Sequence, residues 1–94
     1  MSNYLYPELS TTIIGASINV HRSLGFGLNE QCYKNALMIE LKKLNIQALL
    51  EVRYDVKYQD ELVGYYLADI VVENKIILEL KVTETINTKH VSQP

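Results

Sequence analysis

The stretch Leu67 to Val82, LADIVVENKIILELKV, decides the fold. Two runs rich in Ile, Val and Leu flank Glu73-Asn74-Lys75, the pattern of a β-hairpin with a short polar loop. Asp69 interrupts the first run, and Glu79 with Lys81 interrupts the second. Successive strand side chains point to opposite faces, so Ile76, Leu78, Leu80 and Val82 share one face while Ile77, Glu79 and Lys81 share the other. With a Glu73-Asn74-Lys75 loop, Val72 pairs with Ile76 and Asp69 falls opposite Glu79.

That register gathers two carboxylates and one ammonium. The carboxylates repel unless a cation lies between them. Their oxygens suit a hard divalent ion such as magnesium, which keeps several waters and meets phosphate oxygens. Such an ion acidifies a bound water and polarises a phosphodiester, and Lys81 is placed to orient that water or neutralise the transition state. Spacing supports equally a partly buried salt bridge on a covered sheet face.

The remaining composition bounds these readings. Ninety-four residues make one small domain, residues 1–94, and 48% hydrophobic with 21% charged content is that of a folded protein. Cys32 is the single cysteine, which excludes an intrachain disulfide and fits a reducing cytoplasm. No stretch reaches membrane-spanning length. A net charge of -2 counts against a broad electrostatic footprint for nucleic acid, so any DNA contact is local and metal-assisted or depends on a partner.

Upstream of the hairpin, Ser10 or Thr11 is expected to cap a helix reaching Leu24, with Ile14, Ile18 and His21 on its apolar face and Ile13 and Ser17 beside them. Gly25 and Gly27 end it. Asn29 caps a second helix with Glu30 in its first turn and a buried stripe of Tyr33, Leu37, Leu41 and Leu44; Asn45 ends it. Ile46 to Gln59 alternates as a half-buried antiparallel strand, its apolar row Leu50, Val52, Tyr54, Val56 and Tyr58, its charged row solvated. Gln59-Asp60-Glu61 turns the chain, Gly64 marks a bulge or a close approach, and Tyr65 and Tyr66 are most simply packing residues, with base stacking the alternative for an exposed tyrosine.

Gly27-x-x-Glu30-x-x-Tyr33, preceded by Ile14-Gly15-Ala16 and by Val20-His21-Arg22-x-Leu24-Gly25, and followed by Tyr66-x-Ala68-Asp69 and Glu79-Leu80-Lys81, resembles the GxxExxY family of the PD-(D/E)XK nuclease superfamily. The resemblance covers most of the chain. It implies hydrolysis of DNA dependent on magnesium, or manganese in its place, with Asp69 and Glu79 on the metal helped by the Leu80 carbonyl, Lys81 on the water, Glu30 as an auxiliary acidic residue from the helix and His21 near the site. It also implies that His90-Val91-Ser92-Gln93 begins a third helix carrying a His-x-x-Gln motif, with Gln93 orienting groups near the metal. The expected fold is therefore α/β (α+β), two N-terminal helices on a mainly antiparallel sheet of three or four strands, incomplete at the C-terminus. A homo-oligomer or a partner chain is expected to complete it. The alternative is a non-catalytic interaction module, or an inactive truncated product, on the same scaffold.

Overall fold

The computed structural model describes residues 5–80 and 86–91, the last stretch through its backbone alone up to residue 90. Two helices, α1 (Pro7–Leu24) and α2 (Glu30–Lys43), precede four strands, β1 (Ala48–Tyr58), β2 (Glu61–Val72), β3 (Ile76–Leu80) and β4 (Ile86–His90). The strands form one antiparallel sheet in the order β1-β2-β3-β4. Neither helix is long and apolar enough to cross a membrane.

The hairpin of β2 and β3 is as the sequence implies. Val72 pairs with Ile76, and Glu73 and Asn74 both take positive φ in the connecting turn. Glu73 also ties this turn to the start of β1: its N–H donates to the Gln47 carbonyl, and its carboxylate accepts the Gln47 N–H at 2.9 Å. The β1–β2 turn, Gln59-Asp60, has both residues at positive φ (51° and 65°), as a two-residue type I′ connection requires. A bulge follows where the register shifts beside Gly64, and a Cβ there would meet nothing within 4 Å, so Gly64 marks the bulge and no close approach.

α1 begins earlier and faces differently from the expectation. Pro7 occupies the first turn after Tyr6, where its fixed φ suits the helix and its missing N–H costs nothing. Thr11 and Thr12 do not cap; their hydroxyls donate to the Pro7 and Glu8 carbonyls one turn back. The buried face is Ile13, Ala16, Ser17 and Val20, whereas Ile14 and Ile18 are exposed. Both stripes have helical spacing, and only packing against α2 selects between them. At the helix end Gly25 adopts φ 74° and ψ -157°, a conformation that costs little only without a Cβ.

α2 follows its sequence signals closely. The Asn29 side chain accepts the Cys32 N–H, and Tyr33, Leu37 and Leu41 are buried. Leu44 is exposed because the helix ends at Lys43 in a Schellman motif: Asn45 takes φ 59°, its N–H donates to Lys42, and the Ile46 N–H donates to Leu41. These helical residues, with Ile13 and Val20, cover Ile70, Val72, Ile76, Leu78 and Leu80 as the main core. Each such buried aliphatic contributes about 1.5–3 kcal/mol. Ala68, Val71 and Ile77 form a second cluster with Val52, Tyr54, Tyr66 and Val91.

Membership in the two clusters shows that β1 and β2 both reverse their faces at one level. Tyr66 and Ala68 belong to the second cluster but Ile70 and Val72 to the main core; Val52 and Tyr54 belong to the second cluster but Ala48 to the main core. Unbroken alternation would keep each set on one side. The cause in β1 is Glu51, whose φ of 56° turns the strand over opposite Asp69. Beyond that level β1 is not the half-buried strand expected: Val56 and Tyr58 are exposed, as is Tyr65, which lies under the Arg53 guanidinium at 4.3 Å.

Residues Ile86–His90 form β4, paired antiparallel with β3 from Leu80↔Ile86 to Ile76↔His90, so of the expected helix start His90 closes a strand, and its continuation through Ser92 and Gln93 lies outside the described residues. The physical reason is that β3 is buried on its faces, and its backbone groups need partners along both edges. His90 thus lies in a strand; Lys81 and Gln93 lie outside the described residues.

The assignment of α1's faces is tested by a pair of truncations. Ile13→Ala should lower the unfolding free energy by about 2–4 kcal/mol in urea titrations, and Ile14→Ala by less than about 1 kcal/mol.

Candidate metal and phosphate site

The site grows from the place where β2 and β3 part. Their pairing runs Val72↔Ile76, Val71↔Ile77 and Ile70↔Leu78, and one further step along the strands reaches Asp69 and Glu79. There the Leu80 N–H donates to Asp69 Oδ2 at 2.9 Å, so a carboxylate takes the place of a backbone acceptor on the neighbouring strand. Glu79 is half-buried on the face opposite Leu78 and Leu80, and its carboxylate accepts the Tyr66 hydroxyl.

The other Asp69 oxygen faces α2. Lys34 Nζ lies 3.4 Å from Asp69 Oδ1 and 3.3 Å from Glu51 Oε2, and only 9% of the Lys34 side chain is accessible. Burial disfavours its ammonium, but the charge of Asp69 and the hydrogen bond to Glu51 outweigh that, and the Lys34 pKa is raised above its ordinary 10.5. Lys34 therefore stays charged throughout the physiological range. Its amine is placed by α2 and its two carboxylates by neighbouring strands at the level where both change face.

The remaining candidates sit on the helices. Glu30 opens α2 four residues before Lys34, so both stand on one side of the helix. His21 stacks on Tyr33 with ring centroids 5.0 Å apart, and its Nδ1 lies 3.1 Å from the Ser17 carbonyl oxygen. The Tyr33 hydroxyl donates to the Gly25 carbonyl at 2.6 Å and accepts the Leu28 N–H. His21 and Tyr33 thus fix the glycine turn that delivers Glu30.

Lys34, Glu51 and Tyr66 escaped the sequence reading. Lys34 adjoins Tyr33 and precedes Leu37 by three residues, which places it at the margin of the buried stripe. Glu51 reads as one member of a solvated charged row, yet Leu49-Leu50 just before it already breaks strict alternation. Tyr66 stands in the Tyr66-x-Ala68-Asp69 motif, but its spacing alone, beside Tyr65 in a strand, gives no sign that its hydroxyl reaches Glu79.

Among the described residues no group of three or more His, Cys, Asp or Glu side chains is gathered closely enough to hold a metal ion. A magnesium ion, however, is commonly held by one or two carboxylates and completes its shell with water and substrate oxygens. Asp69, Glu79 and the Leu80 carbonyl bring oxygens of that kind to one level of the sheet, with Asp69 Oδ1 turned toward α2 and the Glu79 carboxylate on the opposite face beside Tyr66.

A family model described as the PD-(D/E)XK nuclease superfamily matches residues 7–94. The chain belongs to that superfamily, whose nucleases generally use divalent metals. Comparisons with curated proteins and with solved structures return no match.

Replacing Lys34 tests the ion-pair cluster. Lys34→Met should cost about 1–3 kcal/mol near neutral pH, because it leaves two carboxylates without their countercharge. A raised amine pKa means that the folded state holds the proton more tightly, so this contribution is complete below pH 10.5 and fades as pH rises through the folded-state value. Melting curves of the two proteins should accordingly run parallel up to about that pH and converge above it.

Proposed function

We propose that this chain is a metal-dependent nuclease of the GxxExxY type, hydrolysing DNA phosphodiester bonds. The observation that carries the reading is the Asp69 carboxylate, anchored by the Leu80 N–H where β2 and β3 separate and at the register level of Glu79, one step beyond the Ile70↔Leu78 pair, in a chain of the PD-(D/E)XK nuclease superfamily.

Asp69 and Glu79, with the Leu80 carbonyl oxygen, would hold magnesium or manganese. When bound, the ion supplies an acidified water and neutralises charge on the phosphate. Lys81, two residues after Glu79, orients the attacking water. Lys34 keeps a fixed positive charge beside Asp69, and that charge stabilises the pentacovalent phosphate as negative charge builds on its oxygens. Glu30 contributes an acidic group from α2, and Gln93 orients groups around the ion. His21 acts at one remove, through Tyr33 and the turn before Glu30.

The net charge of -2 favours a second reading, a non-catalytic interaction module that keeps the scaffold. Metal binding separates the two. Under the nuclease reading, magnesium or manganese raises the melting temperature of the wild type, by about 2.7 kcal/mol of added stability at a hundredfold excess over the dissociation constant, and leaves Asp69→Ala unmoved. Lys81→Met keeps the thermal shift and loses cleavage of supercoiled plasmid. An unshifted wild type defeats the nuclease reading.

A further inference from the structure

We propose that the chain forms a two-fold dimer in which β1 of one copy pairs antiparallel with β1 of a second copy, centred on Tyr54. Among the described residues β1 is an edge of the sheet, paired with β2 on one side. It contains neither proline nor glycine, and beyond Glu51, from Val52 to Tyr58, its outer backbone N–H and C=O groups offer a regular row to another strand. The hairpin arm beyond Glu51 exposes apolar side chains from both its strands, Val56 and Tyr58 from β1 and Leu62, Val63, Tyr65 and Leu67 from β2. An arm so poorly covered gains from a second layer of contacts along its edge.

The charges along β1 select the occupant and the register. In an antiparallel pair, residues directly opposite share a face. Centring the two-fold axis on Tyr54 places Arg53 opposite Asp55 of the second copy, twice, and Lys57 at the level of Glu51, also twice. Val52 then meets Val56. Centring on Arg53 sets arginine against arginine and Asp55 against Glu51; centring on Asp55 sets the two aspartates together and Arg53 against Lys57. A shift by one residue lays the charged row of one strand beside the apolar row of the other. Two-fold axes at Val52 or Val56 leave Asp55 or Arg53 opposite an uncharged residue. In the single chain Arg53 Nε sits 3.4 Å from Asp55 Oδ1 with both side chains more than half exposed, so exchanging this pair for its equivalents across the edge displaces no buried contact. The positive φ of Glu51 confines regular pairing to the part of β1 beyond it. The core hairpin and the Asp69 region are untouched, and the dimer is independent of the nuclease reading.

Sedimentation velocity and native mass spectrometry of the full chain test this. The wild type should be a concentration-dependent dimer. Arg53→Asp and Asp55→Arg, each alone, set like charges opposite each other and should raise the dissociation constant at least about tenfold. Each should keep the wild-type circular dichroism spectrum, since both positions are exposed. Mixing the two single variants should give a heterodimer, because one copy then carries two acids where the other carries two arginines; the double exchange R53D/D55R should dimerise with itself. A monomeric wild type, or a wild-type dimer that neither single substitution weakens, would overturn the proposal. The second result would place association on another surface, such as the exposed Ile14 and Ile18 of α1.

Discussion

The Asp69 carboxylate is the point at which helix and sheet are tied by charge. One oxygen holds the backbone of β3 through the Leu80 N–H, and the other meets an ammonium delivered from α2. Hydrogen bonds to a charged group are stronger than neutral ones, about 1.5–3 kcal/mol against about 1 kcal/mol. The apolar core holds α2 over the sheet; Lys34 fixes where along the sheet it rests. Glu51 adds a second carboxylate on the same ammonium and brings in β1. Four elements of the chain are thereby referred to a single buried cation.

Strand geometry explains how so many charges come to adjoin a greasy core. Regular alternation would leave the apolar rows of β1 and β2 on one side along their whole length. Both strands instead change sides at Glu51 and Asp69, so the half near the helices feeds the main core and the half beyond it feeds the smaller cluster. At the changeover neither cluster claims the side chains, and polar groups occupy the level between them. A left-handed glutamate is a costly conformation, on the order of 1 kcal/mol, and the Lys34 hydrogen bond helps to offset it.

Much of this was legible in the sequence, for local reasons. The β2–β3 hairpin and its register follow from a polar loop between two apolar runs, and α2 follows from the Asn29 cap, its 3.6-residue stripe and the left-handed Asn45. Asp69 and Glu79 stood out because charges are conspicuous inside apolar strands. Long-range matters were not legible. Ile13 and Ile14 each begin a valid helical stripe, and the partner helix decides between them. Ile86–His90 became a strand because β3 had a free edge, a fact about another element. Lys34 and Glu51 each look like ordinary surface charges until the fold brings them within 3.3 Å.

The simultaneous change of side in β1 and β2 also divides the sheet into a body and a detachable extension. Because the two strands turn over together, their mutual pairing is preserved across the boundary, and the tip can grow or shrink by matched residues without altering what lies beneath. A lineage carrying this domain is therefore free to remodel its outer ribbon for new neighbours while the acidic centre stays in place. Recognition and chemistry can diverge at different rates within one short polypeptide.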